Sequence, residues 1–267
     1  MDRTPAVAGT FYPGDPGELR SRVEALLRSE GVKVQAYGAV VPHAGYVYSG
    51  PVAGAVFSRV EITPTVLILN PNHTGIGASF AVWPEGHWRT PLGEVSVDAV
   101  LAGKLTEACP VLSADVRAHR REHSAEVMVP FLQVLRPDVS IVTVVVDMAP
   151  LPTLQELGRQ VASVLKSTEP RPLIIASSDM THFKPREVAT AQDRLAIDEM
   201  LELDEEGLYS VVTTHRITMC GVAPATVMVA AVKELGATHA ELVGYDTSAT
   251  ASGDTSNVVG YAGLIFS

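Results

Sequence analysis

The chain has 267 residues, of which 46% are hydrophobic and 19% are charged, a balance that is typical of a globular protein and excludes a disordered one. Its formal net charge of −10 argues against non-specific binding to nucleic acid, because an acidic surface repels phosphate. The amino terminus lacks a signal-peptide pattern and no apolar run approaches the ~18 residues of a membrane helix, so we expect a cytoplasmic protein with neither a nucleic-acid nor a membrane partner.

Apolar runs and amphipathic segments alternate along the chain. Residues 1–16 are rich in proline and glycine and are predicted to be irregular, and Asp15 is the expected N-cap of the first helix. The predicted helices cover residues 16–30, 51–57, 99–107, 124–135, 154–166, 186–203 and 221–235. Short strands or a hairpin are expected within 78–98, and two more strands near 241–245 and 258–266.

Four of the apolar runs end in a histidine or an aspartate. They are residues 38–42 before His43, 66–72 before His73, 141–146 before Asp147 and 173–178 before Asp179. Short β-branched runs between helices are typical of buried parallel strands, and open α/β sheets bind ligands beyond the carboxyl ends of their strands. We therefore predict an α/β protein, one domain over residues 1–267, with a mostly parallel central sheet covered by helices and a crevice at the strand ends.

His43 and His73 are the first candidate metal ligands. Small residues beside His43 would let the backbone approach a ligand closely, and an Asn-Pro-Asn turn precedes His73. From spacing alone, each is equally open to interpretation as an ordinary loop or turn histidine. Tyr46 and Tyr48 follow His43 closely and are candidates for an aromatic pocket wall.

Cys220 stands just before a predicted helix. A thiol at a helix N-terminus has a lowered pKa, and the thiolate is the form that binds metals. The alternative is a small buried side chain, which is what most free cysteines are. Cys109 precedes Pro110 without such a context, so we interpret it as structural and expect no disulfide in a chain without an export signal.

Two pairs of titratable residues could support a reaction. Asp179 and His182 are three residues apart, so the carboxylate could orient an imidazole that acts as a general acid or base; an N-capping aspartate beside a solvated histidine is the alternative. His123 and Glu126 share a helix face at i, i+3, and they either hold metal ligands in place from behind or form an ordinary cap. The remaining histidines are expected at the surface: His87, His119, His215 and His239.

Several stretches, in order along nearly the whole chain, carry a resemblance to a known family. They are Arg3 through Pro13, Pro42 through Tyr46, Asn72-His73, Glu122 through Glu126, Ser177 through His182, Cys220-Gly221 and Val258 through Ala262. With these motifs the chain resembles the Memo family, which includes the microbial AmmeMemoRadiSam system protein B members. That family is similar in fold to the class III extradiol dioxygenases, non-haem iron enzymes that cleave catechol rings.

The resemblance implies a metal held by His43, His73 and Cys220, with His182 as acid/base beside Asp179. The implied metal is iron(II), with copper or zinc as alternatives. A thiolate would replace the carboxylate ligand of the extradiol enzymes. Two functions follow as expectations: a dioxygenase-like oxidoreductase acting on a small catechol-type substrate, or a non-catalytic metal-binding or interaction module working with radical-SAM and AMMECR1-type partner proteins.

Overall fold

Strands and helices alternate along the chain in the computed structural model, which describes residues 1–27 and 33–267. The strands are β1 (Asp2–Arg3), β2 (Gly38–Val41), β3 (Thr65–Asn70), β4 (Phe80–Val82), β5 (His87–Thr90), β6 (Gly93–Val97), β7 (Ser113–Ala114), β8 (Ser140–Val146), β9 (Leu173–Ser177), β10 (His182–Lys184), β11 (Ala240–Thr247) and β12 (Val258–Phe266). The helices are α1 (Pro16–Leu26), α2 (Gly50–Arg59), α3 (Ala99–Ala108), α4 (Arg117–Arg120), α5 (Val129–Leu135), α6 (Leu151–Lys166), α7 (Arg186–Leu201), α8 (Glu205–Thr214), α9 (Val222–Leu235) and α10 (Ala249–Ser252), with a 3₁₀ helix at Glu126–Met128.

The four apolar runs form the centre of the sheet. They are neighbours in the order β8-β3-β9-β2, and every pair in this series is parallel. Nearly every residue of these strands is buried, which is why they are apolar without alternation. Because the four strands run in one direction, their carboxyl ends lie at the same edge of the sheet.

The sheet continues on both sides of this centre. Over the described residues it follows the order β1-β5-β6-β8-β3-β9-β2-β12-β10, with β11 paired to β12, and β4 and β7 attached beside β8. The β12 strand is antiparallel to β2, whereas β6 is parallel to β8. Strands from both ends of the chain thus join one sheet, and the predicted α/β fold with a mostly parallel centre is confirmed.

Helices cover both faces of the sheet. In β3, Leu67 and Leu69 belong to the hydrophobic cluster that includes α3, α6 and α9, whereas Val66 and Ile68 belong to the cluster that includes α1, α2 and α5. Successive side chains of a strand point to opposite faces, so one apolar strand serves two cores. Among the helices described, none has both the length and the apolar character that crossing a lipid bilayer requires.

The predicted helix boundaries hold with local differences. The first helix ends at Leu26, and residues 28–30 of its predicted range lie outside the described residues. The sequence prediction misses α8, which follows closely after α7. Leu203, with a φ of 54°, breaks the helical path between them, and the Asp204 side chain caps the new helix by accepting from the backbone N–H groups of Glu206 and Gly207.

Candidate metal centre

Three histidines from three separate segments converge at the carboxyl edge of the sheet. His43 follows β2, His73 follows β3, and His123 lies just before the 3₁₀ helix. One potential ligand nitrogen from each lies within 4.8 Å of the others. The ring centroids of His73 and His123 are 4.7 Å apart, and those of His43 and His73 are 5.1 Å apart. We call these three residues the histidine cluster.

Hydrogen bonds fix the orientation of His43. Its Nδ1 lies 2.7 Å from Oγ of Ser177, and that hydroxyl donates its own proton to the carbonyl of Ser124 at 2.8 Å. Ser177 Oγ therefore accepts from Nδ1–H, which leaves the lone pair on Nε2. Burial, reinforced by the neighbouring His73 and His123, holds the pKa of His43 well below its ordinary value of 6.5, so the ring is neutral at neutral pH.

Glu122 organises the other two members of the cluster. Its Oε1 lies 2.9 Å from Nδ1 of His73 and 3.5 Å from Nδ1 of His123, while Oε2 accepts from the backbone N–H of His73 at 2.6 Å. Ser124 donates to the same carboxylate through its backbone N–H and its hydroxyl. Since a carboxylate only accepts, Nδ1 of His73 carries the proton and Nε2 remains available to a metal.

Glu122 and His73 each favour the charged form of the other. Although burial opposes ionisation of Glu122, its hydrogen bonds and the charge of His73 lower its pKa to about 2. Burial also opposes the charge on His73, but the hydrogen bond to Glu122 and the carboxylate charge together raise the pKa of this histidine. His73 is therefore the cluster member that takes up a proton most readily.

Cys220 adjoins the histidine cluster. Its Sγ lies 3.3 Å from Nε2 of His43 and accepts from the backbone N–H of Asp179 at 3.3 Å. Burial and the nearby Asp179 carboxyl raise the pKa of the thiol well above its ordinary range. The expected lowering by a helix N-terminus is wrong here, because the removal of the thiol from water outweighs the favourable hydrogen bonds.

The histidine cluster forms part of the wall of a cavity of about 570 Å³. Its other described lining residues are Thr10, Phe11, Ala44, Gly45, Tyr48, Asp179, His182, Phe183, Ser248, Ser252, Asp254, Asn257, Val259 and Tyr261. Tyr48 thus lies where the sequence suggested. Tyr46 does not line this cavity: it is buried against Phe131, and its hydroxyl donates to the carbonyl of Val127 at 2.6 Å.

His182 lines the cavity, and two backbone carbonyls determine which of its ring nitrogens carries the proton. Its Nδ1 lies 2.7 Å from the carbonyl oxygen of Met180 and 2.9 Å from that of Thr218. Carbonyls only accept, so Nδ1 donates and Nε2 is the basic nitrogen.

The predicted support of His182 by Asp179 takes a different form. The Asp179 carboxylate accepts from the backbone N–H of His43 at 2.7 Å, and the backbone carbonyls described above orient His182 instead. Burial raises the pKa of Asp179 to about 6. This aspartate therefore fixes the loop that carries His43.

Glu126 holds the N-terminal segment rather than a metal ligand. It forms a buried ion pair with Arg3 at 2.7 Å, and it accepts from the backbone N–H groups of Ala6 and Val7 and from the Tyr12 hydroxyl. The expected i, i+3 helical face is absent at this point, because the helical residues begin only at Glu126. The fold therefore separates the roles of His123 and Glu126.

His119 is buried, so its expected surface position is wrong. The ring packs against Trp83 and Trp88, and its Nε2 lies 3.1 Å from the carbonyl oxygen of Ala81. Its charged neighbours in sequence gave no sign of this contact, which depends on two tryptophans from another part of the sheet. Burial lowers the pKa of His119 to about 3.

The chain is similar in sequence, over almost its whole length, to proteins of one family. The family described as Memo-like protein matches residues 3–265. A MEMO1 family protein of Methanopyrus kandleri is 42% identical over 100% of this chain and 99% of its own length. A MEMO1 family protein of Aquifex aeolicus is also 42% identical, over 99% of this chain and 98% of its own length.

Similarity to a solved structure supports the fold but says nothing about the function. An uncharacterized protein from Escherichia coli K12 superimposes with a TM-score of 0.56 at 13% sequence identity, covering 86% of this chain and 100% of that one. The family assignment rests on the sequence matches, which extend over almost every residue. On that evidence, the chain belongs to the family of Memo-like proteins.

Proposed function

We propose that this chain is a metal-dependent, dioxygenase-like oxidoreductase that acts on a small aromatic diol of the catechol type. In this proposal His43 and His73 hold the metal, and His123 and Cys220 are the adjoining donors. The observation that carries the proposal is the convergence of the three imidazoles on the wall of an open cavity. The hydrogen bonds of His43 and His73 leave a lone pair on Nε2 of each ring.

The donor set fits a divalent transition metal. Neutral imidazole suits iron, copper and zinc, and a carboxylate behind a ligating histidine is a common way to fix its tautomer. Glu122 is such a carboxylate behind His73, and the hydroxyl of Ser177 fixes the tautomer of His43 in the same way. Iron(II) bound there would supply an attachment point for the diol oxygens and for dioxygen.

The chain's own residues would position the substrate and move a proton. The neutral ring of His182 carries its proton on Nδ1, so Nε2 can accept the proton of a substrate hydroxyl and return it later. Phe11, Tyr48 and Tyr261 present aromatic side chains to the same cavity and would hold a planar ring. A proton acceptor and aromatic surfaces in one cavity support a catalytic role over a non-catalytic metal-binding role.

The test is oxygen uptake. Protein purified without chelators and reconstituted with iron(II) under anaerobic conditions should consume oxygen when a catechol is added. Metal-free protein and iron(II) in buffer alone are the controls. Failure of every catechol in a broad panel to increase oxygen uptake by the iron-loaded protein would contradict the catalytic proposal.

A second candidate is a non-catalytic metal-binding or interaction module, which would serve a radical-SAM or AMMECR1-type partner protein. The contact of Cys220 Sγ with His43 Nε2 at 3.3 Å favours it, because thiolate ligands suit copper(I) and zinc better than oxygen-activating iron(II). Copper or zinc would then be the resident metal.

Replacing Cys220 tests which donor set operates. If the sulfur binds the metal, Cys220→Ser should weaken the binding of copper(I) and zinc much more than that of manganese, since a hydroxyl is a harder and poorer ligand for soft ions. Dissociation constants from competition with chromophoric chelators give the comparison. Cys109→Ser, at the other free cysteine, is the control. Equal losses for zinc and manganese would exclude Cys220 as a ligand.

A further inference from the structure

The cavity beside the histidine cluster carries acidic but no basic residues of the lysine or arginine type among its described lining. Asp179 and Asp254 are its carboxylates. Proteins that bind a carboxylate or a phosphate normally present arginine or lysine to it. A substrate whose diol faces the histidine cluster would therefore find no such partner in this lining for an anionic substituent.

Asp254 is the cavity carboxylate that is exposed and therefore accessible to a ligand. It lies in the exposed connection between α10 and β12, where its Oδ1 accepts from the backbone N–H and the hydroxyl of Ser256 at 2.8 and 2.7 Å. These hydrogen bonds lower the pKa of Asp254, so it is ionised at neutral pH. The backbone of Arg186 bonds to neighbouring Thr255, yet none of the ion pairs between described residues includes Asp254.

Two exposed aromatic rings line the same cavity. Phe183 is 73% exposed and has a φ of 60°, a left-handed conformation that is rare for a bulky side chain and is retained mostly at functional sites. Tyr48 is 42% exposed. Aromatic faces attract cations and do not attract anions, so these rings reinforce the preference set by Asp254.

We propose that the cavity selects catechol-type molecules that carry a positively charged amine over those that carry a carboxylate. This inference rests on the proposed function and specifies its substrate class. Asp254 supplies the attraction for the amine, and Phe183 and Tyr48 supply aromatic surface in the same cavity. The preference should be about tenfold in the dissociation constant, corresponding to ~1.4 kcal/mol, as expected for one solvent-accessible charge contact that changes from attraction to repulsion.

The experiment uses three catechols that differ only in one substituent: aminoethyl (dopamine), ethyl (ethylcatechol) and carboxyethyl (hydrocaffeate). Their dissociation constants for the iron(II)-loaded protein are measured by calorimetry without oxygen, so the readout does not require turnover. We expect dopamine to bind most tightly and hydrocaffeate most weakly. Asp254→Asn should bring the three constants to within about threefold of one another.

Glu202→Gln is the matched control. It removes the same charge from an exposed residue outside the cavity lining, so it should leave the tenfold preference in place. Equal binding of the three catechols, or tighter binding of hydrocaffeate, would overturn the inference and leave the proposed function standing. A preference that survives Asp254→Asn would also overturn it. If none of the three binds, the proposed function fails together with the inference.

Discussion

At the scale of single residues, the partners of the imidazole Nδ1 atoms decide what the candidate centre can do. Ser177 lies 134 residues from His43 in sequence, and Glu122 lies 49 residues from His73. Each partner holds the ring proton on Nδ1, which leaves Nε2 as the potential ligand atom. Without these contacts the rings could present either nitrogen, and the cluster would lose its common orientation.

The raised pKa of His73 predicts how metal binding depends on pH. Nδ1 already carries a proton, so a second proton occupies Nε2 and competes directly with the metal. As the solution is acidified, metal affinity should begin to fall while the pH is still above 6.5, because the pKa of His73 lies above that value. His43, whose pKa is far lower, should not contribute to this loss.

Glu122→Gln separates the titration of His73 from a non-specific effect of low pH on metal binding. The variant keeps an acceptor for Nδ1 of His73 but removes the carboxylate charge that raises the pKa of this histidine. The pH midpoint of metal binding, measured by competition with a chelator of known protonation behaviour, should shift to lower pH. An unchanged midpoint would show that His73 does not control the titration.

His182→Ala tests the proton transfer. Its Nδ1 is bonded to backbone carbonyls, and it is not one of the three histidines whose potential ligand nitrogens converge, so the variant should retain its metal. If His182 transfers the proton, turnover of the iron-loaded protein should fall by ~10²–10⁴-fold. Paired metal analysis and oxygen uptake provide the readout. Full metal content with unchanged turnover would exclude the acid/base role, and loss of metal would make His182 a ligand.

At the scale of secondary-structure elements, strand ends were predictable and irregular segments were not. Continuous apolar runs predicted β2, β3, β8 and β9, and with them the positions of His43 and His73. By contrast, His123 lies in a segment without regular periodicity, and its approach to the cluster depends on tertiary contacts. The sequence marks His123 as a candidate site residue, but its spacing from Glu126 predicts a helix face that the structure does not have.

The N-terminal segment is also an element whose position no local pattern predicts. Arg3 is buried, forms an ion pair with Glu126, and donates to the backbone carbonyls of His119 and Glu122. The segment that follows places Phe11 beside His123, with ring centroids 4.8 Å apart. The Arg3–Glu126 pair therefore links the N-terminal segment to the wall of the candidate centre.

Glu126→Gln should destabilise the fold by about 3–5 kcal/mol, because it leaves the buried Arg3 guanidinium without its counter-charge. The free energy of unfolding from urea denaturation gives the measurement. Glu156→Gln is the control, since its ion pair with Arg159 is exposed, and it should leave unfolding unchanged within error. Equal effects of the two variants would contradict a structural role for the buried pair.

At the scale of the whole molecule, the sheet brings distant parts of the sequence to one edge. The central parallel strands carry the histidine-bearing loops, and the same edge receives Asp179 after β9 and Cys220 before α9. Composition and hydrophobic pattern predicted this architecture because burial on both faces leaves a clear apolar signature. They could not predict which polar groups meet behind the ligands, because those contacts depend on the packing of the complete fold.

We expect the histidine cluster to hold one metal ion. The most direct test is the metal content of wild type, His43→Ala and His73→Ala after reconstitution and removal of free metal, measured by mass spectrometry. His239→Ala, at an exposed histidine, is the control, and circular dichroism verifies that each variant is folded. We expect about one metal ion per chain in wild type and His239→Ala and strong loss in both cluster variants. Wild-type metal content in folded His43→Ala and His73→Ala would contradict a metal site at the histidine cluster.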